Sequence, residues 1–134
     1  MTEDRVKERR IEAFLQLAQE ERAAAERLVD VLPRQAIYFV QQSAEKLVRA
    51  LLEQQNISAG TSHNLRFLAG LLPEGHAMKE HLLDLDDLSP VATRFRYPSV
   101  SGRLAAITAA EVRHWLARIA SLEDEVNGIL RKTK

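Results

Sequence analysis

Arg94, Arg96 and Tyr97 have the side chains to hold a nucleotide. Two guanidiniums can grip a phosphate, and a phenol ring can stack on a base. The competing reading is structural: Arg96 pairs with an acid of the Asp84–Asp87 run, and Tyr97-Pro98 packs as a turn. A second polar group, Tyr38, Gln41, Gln42, Glu45 and Lys46, is woven into an apolar helical stripe. A surface helix ordinarily keeps amides and charges on its far side. The group is either a solvated face or a buried polar contact, within a bundle or across a dimer.

The histidines offer less. His63 sits beside a helix start, where capping backbone groups is its plain role. His76 and His81 are five apart, a spacing that does not align two metal ligands on one helix face. His114 reads as a flank-exposed residue between Arg113 and Trp115. No metal site and no cofactor is expected. The chain has no GxxxxGKS or GxxxxGKT, no GxGxxG, no HExxH and no GxSxG, and its five glycines are scattered. No catalytic residue is assigned.

Lys and Arg total 19 and so do Asp and Glu, a balance that argues against broad electrostatic binding to nucleic acid. The charge is uneven. Glu74 to Asp87 carries five acids against Lys79, and the chain from Arg94 onward carries eight basic residues against four acidic ones. The absence of cysteine excludes disulfides, thiolate metal sites and cysteine nucleophiles, and it fits a reducing compartment. The charged N-terminal stretch does not read as a secretory signal, and no run of apolar residues is long enough to span a membrane. A cytoplasmic protein is expected, with residues 1–134 as one domain.

These groups must be positioned by helices. Residues 4–31 predict a first long helix through Ile11, Phe14/Leu15, Ala18, Ala25 and Leu28. Leu32-Pro33-Arg34 is a connection short enough to force an antiparallel hairpin. The second helix starts at Pro33, suited to a first turn, and carries Ile37, Val40, Ala44, Leu47/Val48 and Leu51 on one face. It ends near Gln55-Asn56, before a loop with Gly60 as its breaker. A short helix over 64–72 follows, then a fourth helix over 76–88 with Met78, Leu82, Leu85 and Leu88 inward. Pro90 either opens a last turn or kinks a longer helix. Residues 94–102 read as a loop. Thr108 and Glu111 have capping-box spacing at the start of the last helix. The sum is all-α: an up-and-down antiparallel four-helix bundle with a short additional helix.

The second helix also carries a resemblance. FVQQSAEKLVRALL resembles the second-helix signature of HEPN domains (higher eukaryote and prokaryote nucleotide-binding), QQAAEKALKALL preceded by an aromatic or His. Ser62-His63-Asn64-Leu65 is similar to that family's T-H-D/N-L, and Arg94-Phe95-Arg96-Tyr97-Pro98 to its A/S-R-Y-P. The resemblance runs from about Ala13 to Val126. It implies a HEPN-like bundle, a homodimer, and a nucleotide- or RNA-associated module working with a minimal nucleotidyltransferase in a toxin–antitoxin-like pair. In that role Arg94, Arg96 and Tyr97 contact phosphate and base, while Gln41, Gln42, Glu45 and Lys46 organise the interface.

Many HEPN domains are metal-independent ribonucleases with an Arg, four to six intervening residues, then a His. The positions that would need Arg are Asn56, Ile57 and Ser58 before His63; Ala69, Gly70 and Leu71 before His76; Glu74, Gly75 and His76 before His81; and Ile107, Thr108 and Ala109 before His114. The motif is absent. An active ribonuclease toxin with an atypical His, and a ligand-free dimerisation adaptor, are the alternative readings.

Overall fold

The computed structural model describes residues 2–85 and 87–132. Helix α1 spans Glu3–Leu28, α2 Pro33–Gln54, α3 Leu65–Gly70, α4 Lys79–Leu83, α5 Leu88–Arg96 and α6 Ala109–Lys132. The chain is an all-α up-and-down bundle, with no strand among the described residues. Helix α2 is the element the others pack on: α1, α3, α5 and α6 all touch it, and α1 also meets α6.

The packing follows from the side chains. Ile37, Val40, Ala44, Leu47, Val48 and Leu51 of α2 are all buried, as their spacing requires. Each Leu or Ile moved out of water contributes roughly 1.5–3 kcal/mol. Helix α1 faces them with Ile11, Leu15, Ala18 and Ala25. Small Ala18 lets the two backbones come close, and the buried Ser43 hydroxyl donates to the Ala18 carbonyl at 2.7 Å. Val112, Leu116, Ile119, Leu122, Val126 and Leu130 bury the inner face of α6. Thr108 Oγ1 accepts from the Glu111 N–H at 3.1 Å at its start.

The end of α2 is set by Asn56, not Gly60. Asn56 has φ 58°, the Ile57 N–H reaches the Leu52 carbonyl at 2.9 Å, and the Asn56 N–H reaches Glu53 at 3.1 Å. That pair of bonds around a left-handed residue closes the helix.

The expected fourth helix over 76–88 is a correction. Only Lys79–Leu83 is helical, and a separate α5 begins at Leu88. Pro90 is the reason: lacking an N–H, it fits the first turn of a helix and not an interior. The segment 94–102, expected as a loop, begins inside α5, so Arg94 and Arg96 occupy the last helical turn. Three short helices, α3, α4 and α5, rather than two, therefore lie between α2 and α6.

Candidate functional site

On α2, residues 38, 41, 42, 45 and 46 follow helical three- and four-residue steps. They form a polar stripe beside the apolar one. Because α2 is covered on several sides, this stripe is largely enclosed: Gln41 is 6% exposed and Glu45 2%.

Arg96 of α5 crosses to this stripe. Its guanidinium carbon lies 4.4 Å from the centre of the Tyr38 ring and 5.5 Å from that of Tyr97. Among the described residues Arg96 makes no ion pair, so neither Asp84 nor Asp87 holds it, and Asp86 of that run lies outside the described residues. Arg94 instead lies 5.4 Å from the ring of its neighbour Phe95, a core residue. Tyr97 is exposed, in extended backbone just past α5.

Tyr38, Gln41, Gln42 and Arg96 line one cleft with His63, Asn64 and Thr93, about 460 Å³ in volume. No carboxylate is among these lining residues. Glu45 and Lys46 lie beneath. Lys46 Nζ donates to Glu21 Oε1 at 2.9 Å and to Gln42 Oε1 at 3.3 Å. Gln42 Nε2 donates to Gln41 Oε1 at 2.9 Å, and Gln41 Nε2 to the His63 carbonyl at 3.2 Å. The polar line thus runs from α1 through α2 to the loop that carries His63. Burial pushes the Glu21 carboxyl above its usual range, against the pull of Lys46.

His63 does not cap α3, contrary to its expected role. Asn64 does, its Oδ1 accepting from the Phe67 N–H at 2.9 Å. The His63 ring turns to α2, with Nδ1 2.7 Å from Glu45 Oε1. Arg49 completes the attachment by donating to the carbonyls of Ser62 at 2.7 Å and Gly60 at 3.4 Å. Thr93 and Arg49 carry no signal in the sequence, and His63 and Asn64 stand out there only as a capping histidine and in the family-like string. The Glu45–His63 pair bridges 18 positions and a loop, for which no spacing rule exists. The family-like Ser62–Leu65 string was the available signal.

The other histidines stand apart. His76 is half-buried; its Nδ1 accepts from the Met78 N–H at 3.1 Å, and burial holds its pKa below the usual value. His81 and His114 line a shallow depression with Asp84, Arg118 and Glu125. Among the described residues no group of three His, Asp or Glu could hold a metal ion. No described helix is long and apolar enough to cross a membrane.

The site is a pocket of amide, imidazole and hydroxyl groups on a helical bundle, with a guanidinium at its edge that has no ion pair among the described residues. The family model of the HEPN domain matches residues 11–129, and the chain belongs to that family. It is therefore a nucleotide- or RNA-associated module. No curated protein and no solved structure matches the chain.

Proposed function

We propose that this HEPN chain binds a nucleotide or RNA by its phosphate in the cleft between α2, α5 and the start of α3. One observation carries the reading. The Arg96 guanidinium rests on Tyr38 with no acid paired to it among the described residues, beside a polar cleft with no carboxylate among its described lining residues. A guanidinium held flat by an aromatic ring keeps its N–H edge free for a phosphate. Arg96 and Tyr97 are the binding residues of this reading; Arg94, turned away against Phe95, meets only a ligand that extends around α5. Tyr38, Gln41, Gln42, Glu45 and Lys46 shape the pocket. The missing Arg-x4-6-His spacing supports binding rather than cleavage.

The resemblance to HEPN domains encoded with minimal nucleotidyltransferases supports such a partner, a toxin–antitoxin-like pairing, a homodimer and a cytoplasmic location. The test is calorimetric titration of nucleotides into wild type and Arg96→Ala. A charge-assisted contact predicts a loss of roughly tenfold or more in affinity. Unchanged affinity removes Arg96 from the site, and no binding by wild type favours the adaptor reading.

A second reading, an atypical ribonuclease, is favoured by one observation: His63 and Arg96, distant in sequence, line the same cleft. An RNA cleavage assay with chelator present decides it. Binding alone predicts intact RNA. Cleavage that disappears in Arg96→Ala establishes the ribonuclease.

A further inference from the structure

We propose that the cleft reads the nucleobase, and that Asn64 makes it prefer a keto base (guanine, hypoxanthine, uracil) over the matching amino base (adenine, cytosine). The inference rests on the nucleotide-binding reading above. Three side-chain amides line the cleft, those of Gln41, Gln42 and Asn64. Each already spends its carbonyl oxygen inside the protein. Asn64 Oδ1 accepts from the Phe67 N–H at 2.9 Å, Gln42 Oε1 from Lys46 Nζ at 3.3 Å, and Gln41 Oε1 from Gln42 Nε2 at 2.9 Å.

The sense of these amides is not open to reversal. A backbone N–H and a lysine ammonium have only hydrogens to give, so an oxygen must face each. At the far end of the glutamine pair, Gln41 Nε2 donates to the His63 carbonyl at 3.2 Å, a group that can only accept. Both ends of the pair therefore fix the same sense. Gln41 is buried and Gln42 half-buried, whereas Asn64 is exposed. The Asn64 Nδ2 carries two hydrogens with no partner among the described residues.

An asparagine amide with both ends free reads adenine by taking a hydrogen from N6 and giving one to N7. The cap on α3 removes the taking half, and what remains can only give. On the base edge away from the sugar, guanine O6 and uracil O4 are acceptors, while adenine N6 and cytosine N4 are donors. With its phosphate at Arg96 of α5, a nucleotide has its base left for the wall supplied by the start of α3. A keto oxygen there completes a hydrogen bond with Nδ2. An amino group sets hydrogens against hydrogens and leaves both sides unpaired, which is the costly outcome. The hydroxyls of Tyr38 and Thr93 and the ring of His63 can each give or take a hydrogen, so they favour neither kind of base. Arg96 serves the phosphate that all nucleotides share. The volume of about 460 Å³ is that of a small-molecule site and holds one nucleotide.

The experiment titrates the 5′-monophosphates of guanosine, inosine, adenosine, uridine and cytidine into the protein by calorimetry. Inosine is expected to bind roughly five- to fiftyfold tighter than adenosine, and uridine than cytidine, the worth of one hydrogen bond made against one left unmade. Guanosine follows inosine. Asn64→Asp keeps the cap, since an aspartate oxygen serves the Phe67 N–H equally well. Its second oxygen replaces Nδ2 with an acceptor. The added charge weakens every nucleotide, but the ratio of keto to amino affinity falls to one or below. Asn64→Ser also keeps a capping oxygen and removes the N–H2 without adding charge. It brings the ratio close to one, and it decides the matter if Asn64→Asp binds nothing. Equal affinities of wild type within both pairs, the reverse order, or a preference that survives Asn64→Ser overturns the base selection alone. Binding of no nucleotide by wild type overturns the nucleotide reading with it.

Discussion

The Arg96 guanidinium stands 4.4 Å from the centre of the Tyr38 ring, joining the end of α5 to the second turn of α2. The contact fixes a long, flexible side chain before any ligand arrives. Binding then loses less side-chain entropy than it would with a free arginine. A cation over an aromatic ring contributes about 0.5–2 kcal/mol. Tyr38→Ala is therefore expected to weaken nucleotide binding roughly three- to thirtyfold, while Tyr38→Phe keeps the ring and most of the affinity. Calorimetry on both variants checks this. An equal loss in Tyr38→Phe would point to the phenol oxygen and not to the ring.

Asn64 holds the first turn of α3 through its side-chain oxygen, and α3 has only six residues. Asn64→Ala removes that cap at a cost of about 1 kcal/mol. Because the helix is short, the effect is expected locally. Amide exchange over residues 65–70 should speed up by about fivefold, with α1 and α6 unchanged. Hydrogen-exchange mass spectrometry reads it directly. Protection in 65–70 equal to wild type would show that packing of Leu65 and Leu68, both buried, holds α3 without the cap.

His76 gives the fold a pH dependence with a definite sign. Burial lowers its pKa in the folded state. As pH falls through about 6.5 the unfolded chain takes up a proton that the folded chain refuses, so stability drops. Above that value neither state carries the proton and nothing is lost. His76→Asn retains an acceptor for the Met78 N–H and abolishes the titration. Its melting temperature should therefore fall less than that of wild type between about pH 7 and pH 5.5. Parallel melting curves across this range for the two proteins would refute the assignment.

Much of this architecture is legible in the chain itself, and the failures are instructive. Pro33 and the steps from Ile37 to Leu51 define α2, and Thr108 marks where α6 begins. The helix expected over 76–88 misled for a physical reason. Leu82, Leu85 and Leu88 keep a step of three that an α-helix would also bury. Here the step comes from successive tight turns, with the Leu85 N–H bonded to the Leu82 carbonyl and the Leu88 N–H to the Leu85 carbonyl. A three-residue period belongs to both. Asp86 of that stretch lies outside the described residues. In the cleft, the polar stripe of α2 could be read from spacing, and Arg96 from its chemistry. That they face each other depends on how α5 docks against α2, which only packing determines. The attachment of His63 to Glu45 depends likewise on a loop pinned by Arg49.

The start of α5 at Leu88 has a consequence for which changes the protein can accept. Successive residues of an α-helix are turned by about 100°. Arg94 and Arg96 are therefore roughly 200° apart around the axis, which is why the first lies on Phe95 and the second enters the cleft. The segment works as a key cut to length. Exchanging Val91 or Thr93 for another residue leaves the angle of Arg96 unchanged. Removing a single residue between Pro90 and Arg96 swings the guanidinium off Tyr38 and out of the lock. Variation here should come as replacement, not as gaps.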